Sequence, residues 1–329
     1  MSKVEYTGIT GIGMYVPEKR LTNADLEKMV DTSDEWITTR SGIKERHILA
    51  PEEAVSDIGA NSARIAMKEA GIGPEEIDGI IFATLTGDTP CPATACHLQH
   101  KLGAINAYTF DLGAACSGFV YGLAVADSLI RNGVGRTILV IGADSLSRVT
   151  DYQDRGTCVL FGDGGGSAIV QANASQGRIL SHYMGADGSL TELIIIPAGG
   201  SRLPASHETI DKRLHYVKMA GNEVFKFAVR ILVQSLEKAL ERCGHSVKDL
   251  KLIVPHQANF RILEVAARKM ELEPEIMYND IANYGNTSAG TIPIALSDAL
   301  KEGRIKKGDL IALVAFGGGL TWGSVIIEW

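Results

Sequence analysis

GIGPEEIDGIIFAT, from Gly71 to Thr84, and GHSVKDLKLIVPH, from Gly244 to His256, share one design. Each opens on a glycine suited to ending a helix, passes through a short polar turn and enters an apolar run that reads as a strand buried on both faces. Gly71 to Thr84 is 13 positions and Gly244 to His256 is 12. Upstream of each lies a helical pattern. One runs over 56–70, from Ser56 through Ile58, Ile65 and Ala66 to Ala70; the other runs over 222–243, where Phe225, Ala228, Leu232, Leu236, Ala239 and Leu240 share a face. Downstream, FDLGAACSGFVYGLAVADSLI places Cys116 between a strand and a helix, and NDIANYGNTSAGTIPIALSDAL places Asn286 in the same way. Thr84 to Cys116 is 32 positions and His256 to Asn286 is 30. Each half then ends in a strand, a glycine cluster and another strand: GDGGGSAIV at 162–170 and GGGLTWGSVII at 317–327. With ILVIGA at 138–143 and IALVAF at 311–316 as further buried strands, the chain is predicted to be α/β, one design used twice. The halves are expected at 1–174 and 175–329, meeting in the polar stretch ANASQGR at 172–178.

The composition permits a large core: 329 residues, 45% hydrophobic and 22% charged. Acidic residues outnumber basic ones 39 to 32, a net charge of −7, which argues against nucleic acid as the main partner. No apolar run approaches the roughly 18 residues of a membrane span, and MSKVEYTGITGIG lacks the pattern of a secretory signal, so a soluble, cytoplasmic protein is expected. Five cysteines, an odd count, point to reduced thiols rather than a disulfide framework. The stretch 185–220, with PAGGSRLPAS, lacks periodicity and reads as a surface insertion able to cover a site. Two weaker signals are discounted. Gly8, Gly11 and Gly13 lack the third glycine and the following helix of a dinucleotide loop, and Cys91, Cys96, His97 and His100 are too crowded around Pro92 for a tetrahedral zinc site.

In such sheets ligands gather beyond the carboxyl ends of strands, where helices begin. Cys116, His256 and Asn286 all fall there. A cysteine among Ala and Gly is commonly a small buried side chain, but at the start of a helix the dipole favours its thiolate, making Cys116 a candidate nucleophile. His256, in VPHQAN, and Asn286, in YGNTSAG, would serve singly as a satisfied polar residue and a helix cap. On repeated frames they form a Cys/His/Asn set.

Six motifs then carry a resemblance that runs the length of the chain: DTSDEWITTRSGIKERHI at 31–48, DLGAACSGF at 111–119, DRGTCVLFGDGGG at 154–166, VPHQAN at 254–259, NYGNTSAG at 283–290 and AFGGGLTWGS at 315–324. In this order they resemble β-ketoacyl-acyl carrier protein synthase III, the initiating condensing enzymes of the thiolase superfamily. The resemblance implies a five-layered αβαβα fold, a homodimer, no cofactor and no metal. The activity it implies is decarboxylative condensation of an acyl-CoA starter with malonyl-acyl carrier protein. Elongating relatives carry a second His where this chain has Asn286, and thiolases a second reactive Cys near Gly317, Gly318 and Gly319. A synthase of secondary metabolism with another starter or acceptor is the alternative.

By the same resemblance Cys116 is the acyl-carrying nucleophile, His256 and Asn286 serve the malonyl step, and the N–H groups of Cys116 and Gly318 form the oxyanion hole. Trp36 and Arg155 are expected to sandwich the adenine of CoA, with Thr32, Arg40, Lys226, Asn259 and Arg261 at the tunnel mouth. Arg261, Arg268 and Lys269, with Lys212 and Arg213, are expected to dock the acidic carrier protein. Family members using short starters often present a phenylalanine at the position of Cys91, reaching across the dimer interface; the smaller Cys91 is expected to deepen the acyl pocket.

Overall fold

The computed structural model describes residues 4–329. Nine strands form one mixed sheet: β1 (Thr7–Tyr15), β2 (Gly79–Ala83), β3 (Tyr108–Leu112), β4 (Thr137–Ser145), β5 (Asp163–Ala172), β6 (Arg178–Ala186), β7 (Leu252–Pro255), β8 (Leu310–Gly317) and β9 (Thr321–Glu328). The longer helices are α1 (Asp34–Ser41), α2 (Val55–Ala70), α3 (Thr94–Leu102), α4 (Gly118–Arg131), α5 (Gly221–Cys243), α6 (Phe260–Lys269) and α7 (Thr291–Lys301). The strand order is β7-β8-β9-β6-β1-β5-β4-β2-β3, and one residue pair, Gly8 with Arg178, joins the β1 side to the β6 side.

On either side of that seam the pairing is the same. β4 runs parallel to β2 and antiparallel to β5, which is antiparallel to β1. β8 runs parallel to β7 and antiparallel to β9, which is antiparallel to β6. The outer strand β3, parallel to β2, has as its counterpart a lone parallel bridge between Ile253 and Met277.

Alternation along the buried strands sorts side chains into separate cores. Ile81, Ile138 and Val140 join Leu252, Leu313 and Val325 around α4 and α7. Ile80, Phe82, Leu139 and Ile141 pack outward on α2 and α3. Ile253, Ala312, Val314 and Ile326 pack on α5 and α6. The layers are therefore α2/α3, sheet, α4/α7, sheet, α5/α6, the five-layered arrangement expected. Removing a side chain such as Phe82 or Phe119 from water stabilises the fold by about 2–3 kcal/mol each.

The glycines of β1 serve packing. A Cβ at Gly11 would stand 2.1 Å from the Ala66 carbonyl oxygen, and one at Gly13 2.1 Å from that of Ser62, so they let α2 lie against the strand. The stretch 185–220 is only partly irregular: it holds a short helix, His207–Asp211, and a two-stranded ribbon of Ile194–Ile195 with Lys218–Met219. Among the described residues no helix is long and apolar enough to cross a membrane, and no group of three or more His, Cys, Asp or Glu side chains is placed to hold a metal ion.

Asp280 starts the short helix Ile281–Tyr284 with its Oδ2 buried and unpartnered. Burial and the neighbouring charge of Asp298 raise its carboxyl to about 8 from the usual 3.8. Between those values the folded chain binds more protons than the unfolded one, so stability falls as pH rises and stays low above the upper value. Asp280→Asn should remove most of that loss. Denaturant midpoints at about pH 5 and 9 check this: the drop between them should be smaller in the variant, and an equal drop would contradict it.

Candidate active site

Cys116 sits on a tight turn, Ala115–Ser117, that runs directly into α4. The residue before it, Ala115, has φ 46°, in the left-handed region, so the chain bends sharply to present the cysteine at the helix start. Gly317, at the end of β8, closes from the other side. A Cβ there would lie 2.7 Å from the Cys116 nitrogen, and only glycine allows that approach.

His256 follows β7, and its N–H donates to the Val314 carbonyl at 2.8 Å. Its ring meets Phe316 edge-on, with centroids 5.4 Å apart. Nδ1 lies 2.7 Å from the Thr291 hydroxyl, and that hydroxyl also lies 3.0 Å from the Ser288 carbonyl. Because the hydroxyl has one proton, either Nδ1 donates to Thr291 and Nε2 keeps a lone pair, or Thr291 donates to Nδ1 and Nε2 carries the proton. Burial pulls the imidazole down to about 3, so it is neutral at working pH.

Asn286 is fixed through its backbone: its N–H donates to the Leu160 carbonyl at 2.9 Å, and its carbonyl accepts from Gly162 N–H at 3.0 Å. Its Oδ1 accepts from Ser288 N–H at 2.8 Å, which leaves the Nδ2 protons for the cavity.

These three residues line one cavity of about 100 Å³, with Phe161, Ile194, Met219, Phe225, Phe316 and Gly317 among its walls. Ile194 and Met219 come from the 185–220 stretch, which thus covers the site. Leu160, Met219, Gly221, Phe225 and Asn259 also line an outer cleft of about 400 Å³ that reaches Trp36, Arg40 and Arg261. The two together make a passage from the surface to Cys116.

Burial pushes the Cys116 thiol up to about 12. The expectation from the helix start was a favoured thiolate; in the free protein, loss of hydration outweighs the dipole. Ser288 pulls the thiol down and the buried Asp144 pushes it up, and neither residue was singled out from the sequence.

At the mouth, both Arg40 and Arg155 stack on Trp36, their guanidinium carbons 4.7 and 4.8 Å from the ring centroid. Arg155 also donates to the Asp31 carbonyl at 2.8 Å, so it closes the space that a flat ligand would enter. The Thr32 hydroxyl is buried without a partner. Asn259 is engaged, its Oδ1 accepting from Arg261 N–H and its Nδ2 donating to the Arg40 carbonyl, both at 2.9 Å. Lys226 is exposed on α5 outside the walls of either space. Arg261, Arg268 and Lys269 are exposed along α6. Lys212 and Arg213 stand elsewhere, paired with Glu208 and Asp151. Gly318 follows β8 next to Gly317, and Cys91 is exposed, outside the cavity wall of its own chain.

Residues 110–188 match the family described as 3-oxoacyl-[acyl-carrier-protein (ACP)] synthase III, and residues 240–329 its C-terminal family. Beta-ketoacyl-[acyl-carrier-protein] synthase III of Caldanaerobacter subterraneus subsp. tengcongensis is 52% identical over 322 residues, covering 98% of this chain and 97% of that one. The protein of that name from Symbiobacterium thermophilum is 52% identical over 328 residues, covering 99% of each. The crystal structure of 3-oxoacyl-[acyl-carrier-protein] synthase III from Aquifex aeolicus superposes with a TM-score of 0.90 at 47% identity, covering 98% of this chain and all of that one. With its duplicated five-layered fold and this similarity from end to end, the chain belongs to the 3-oxoacyl-[acyl-carrier-protein] synthase III family.

Proposed function

We propose that the protein condenses an acyl-CoA starter with malonyl-acyl carrier protein, releasing carbon dioxide and starting fatty-acid synthesis. The observation that carries this reading is the meeting of Cys116, His256 and Asn286 in one buried cavity at the end of a passage that begins at Trp36. Cys116 sulfur attacks the acyl-CoA carbonyl, and the N–H groups of Cys116 and Gly318 hold the oxyanion. CoA leaves as the thiolate and takes up the proton. The malonyl thioester then loses carbon dioxide, and the bonding pair left behind is the enolate; no external electron carrier is needed. Asn286 Nδ2 and the protonated Nε2 tautomer of His256 donate to the enolate oxygen. The carbanion attacks the acyl thioester, Cys116 departs as thiolate, and a 3-oxoacyl-carrier protein leaves. Intact mass after mixing with acetyl-CoA, then with malonyl-carrier protein, tests the reading. An acyl adduct on Cys116 that disappears as 3-oxoacyl product forms supports it, and an enzyme that never acylates overturns it. The secondary-metabolism alternative is not favoured, because relatives sharing half of their residues with this chain carry the synthase III name.

Trp36 and Arg155 would separate to admit the adenine, with Thr32 offering its unpartnered hydroxyl; Arg40, Asn259, Arg261 and Lys226 stand by resemblance as further contacts. We take the protein to act in the cytoplasm as a homodimer built on the outer edge of β3, which has no neighbouring strand. We propose that the two halves divide at 174/175.

For the carrier protein we retain Arg261, Arg268 and Lys269; the pairing of Lys212 and Arg213 within the chain argues against those two. Reversing Arg261 and Lys269 to Glu should lower kcat/KM for malonyl-carrier protein about ten-fold and flatten its salt dependence. Because Arg261 also stands at the CoA cleft, the control is Lys269→Glu alone, which should keep its rate with malonyl-CoA if its effect is confined to docking.

In a dimer Cys91 would reach the partner's acyl pocket. Each extra methylene buried there is worth about 0.8 kcal/mol, a few-fold in rate. Starters of about four to eight carbons should therefore compete with acetyl-CoA in the native protein and lose that standing in Cys91→Phe. A panel of acyl-CoA starters read by product mass decides it: confinement of the native protein to acetyl-CoA removes Cys91 from the pocket.

A further inference from the structure

Ser288 faces Asn286 and Cys116 directly and reaches His256 through Thr291, each by a different group. Its backbone lies in the left-handed region, φ 53°, a conformation that costs a residue with a Cβ about 1 kcal/mol or more. The twist turns its polar groups apart. The N–H donates to Asn286 Oδ1 at 2.8 Å, and the carbonyl lies 3.0 Å from the Thr291 hydroxyl, which contacts His256 Nδ1. The turn Ser288–Gly290 packs on the turn Ala115–Ser117, and there the Ser288 hydroxyl faces Cys116 on one side and Asp144 on the other. That hydroxyl is buried with no hydrogen bond of ordinary geometry.

Asp144 ends β4 wholly buried. Its Oδ1 is saturated by Leu85 N–H and the Thr84 and Thr86 hydroxyls, each at 2.8 Å, while Oδ2 is turned toward Ser288 and Ala289 N–H. The titratable groups facing the thiol are thus Asp144, at the end of β4, and the neutral His256, after β7. A hydroxyl with one proton between a carboxylate and a thiol has two places to point.

We propose that Ser288 is a donor to the nucleophile: its O–H turns from Asp144 to Cys116 Sγ as the thiol proton passes to solvent, from which the departing CoA thiolate takes one up, and it stabilises the thiolate that attacks the acyl thioester. This rests on Cys116 being the nucleophile. Hydrogen bonding to the charged form favours it, whereas the Asp144 carboxylate opposes a second negative charge in the same buried volume. Ser288 and Asp144 therefore act on Cys116 with opposite signs, and the backbone of Ser288 holds Asn286 whether or not the hydroxyl is present.

The test is the rate of alkylation of Cys116 by iodoacetamide, followed by peptide mass spectrometry from about pH 6 to 10, which needs no knowledge of the substrate. Ser288→Ala should react about ten-fold more slowly near pH 8, its profile displaced upward by about one unit. Asp144→Asn should displace the profile downward. Decarboxylation of malonyl-CoA by Ser288→Ala should fall less than its alkylation rate, since the bond that holds Asn286 is made by the Ser288 backbone N–H. A Ser288→Ala profile that superimposes on the native one overturns the proposal. So does a joint loss of alkylation and decarboxylation in both variants, which is what a purely structural role would give. A native Cys116 that resists alkylation at every pH overturns the nucleophile reading itself, a result distinct from either.

Discussion

Cys116→Ser is expected to be folded and inert, with no acyl-enzyme from acetyl-CoA and condensation reduced by about three orders of magnitude or more. The argument is one of acidity in a buried place. Even the native thiol is pushed up to about 12 in the free protein, so the site supplies little help toward an anion beyond the helix start and the Ser288 hydroxyl. A serine hydroxyl begins several units higher still. His256, pulled down to about 3, is a poor base and cannot make up the difference. Removing sulfur for oxygen changes little in volume, so the thermal midpoint should move by no more than a few degrees. An acyl adduct retained by the variant would remove Cys116 from its role.

The second large effect separates the half-reactions. His256→Ala and Asn286→Ala should each lower malonyl decarboxylation and condensation by about 10²–10³-fold while leaving acylation of Cys116 within about ten-fold of native. Both side chains offer donors to the cavity and neither bonds the thiol: Asn286 is committed through Oδ1 to Ser288, and His256 through Nδ1 to Thr291. The loss should be largest for the step in which charge develops on the enolate oxygen, so kcat should fall more than KM rises. If acylation and decarboxylation fall together in both variants, the assignment of these residues to the second step is wrong.

Much of the fold was legible because buried strands and helix stops leave strong local marks. Gly71 and Gly244 both adopt the left-handed conformation that ends α2 and α5, as their sequence context indicated. β1 was harder: its glycines mimic a phosphate loop, and their reason, contact with the α2 backbone, lies about 50 residues further along the chain. β6 escaped the reading because it is half exposed and carries no continuous apolar run. Cys116, His256 and Asn286, which line one cavity, were singled out because the duplicated frame put them at equivalent strand ends. Asp144 and Ser288 were not, since a carboxylate buried under four hydrogen bonds from one loop and a hydroxyl set by a left-handed backbone declare themselves only in three dimensions. The electrostatics of the thiol was misjudged for a related reason: a helix start is visible in sequence, whereas the depth of burial that opposes it is not.

The central layer has one more implication. α4 packs on β4, β2 and β5 of its own side and reaches β6 and β9 across the seam, and α7 packs on β1 and β5 across it, so each inner helix is covered in part by the strands of the other side. A polypeptide of half this length would expose that helix and could persist only as a symmetric pair. In such a pair every position exists twice and identically, so a sulfur at one strand end would be answered by a sulfur at the other. A single chain, continuous through residues 173–177, is free of that identity. A single chain can therefore carry Cys116 on one frame and Asn286 on the other, giving one asymmetric reaction centre where a symmetric pair would hold two equal ones.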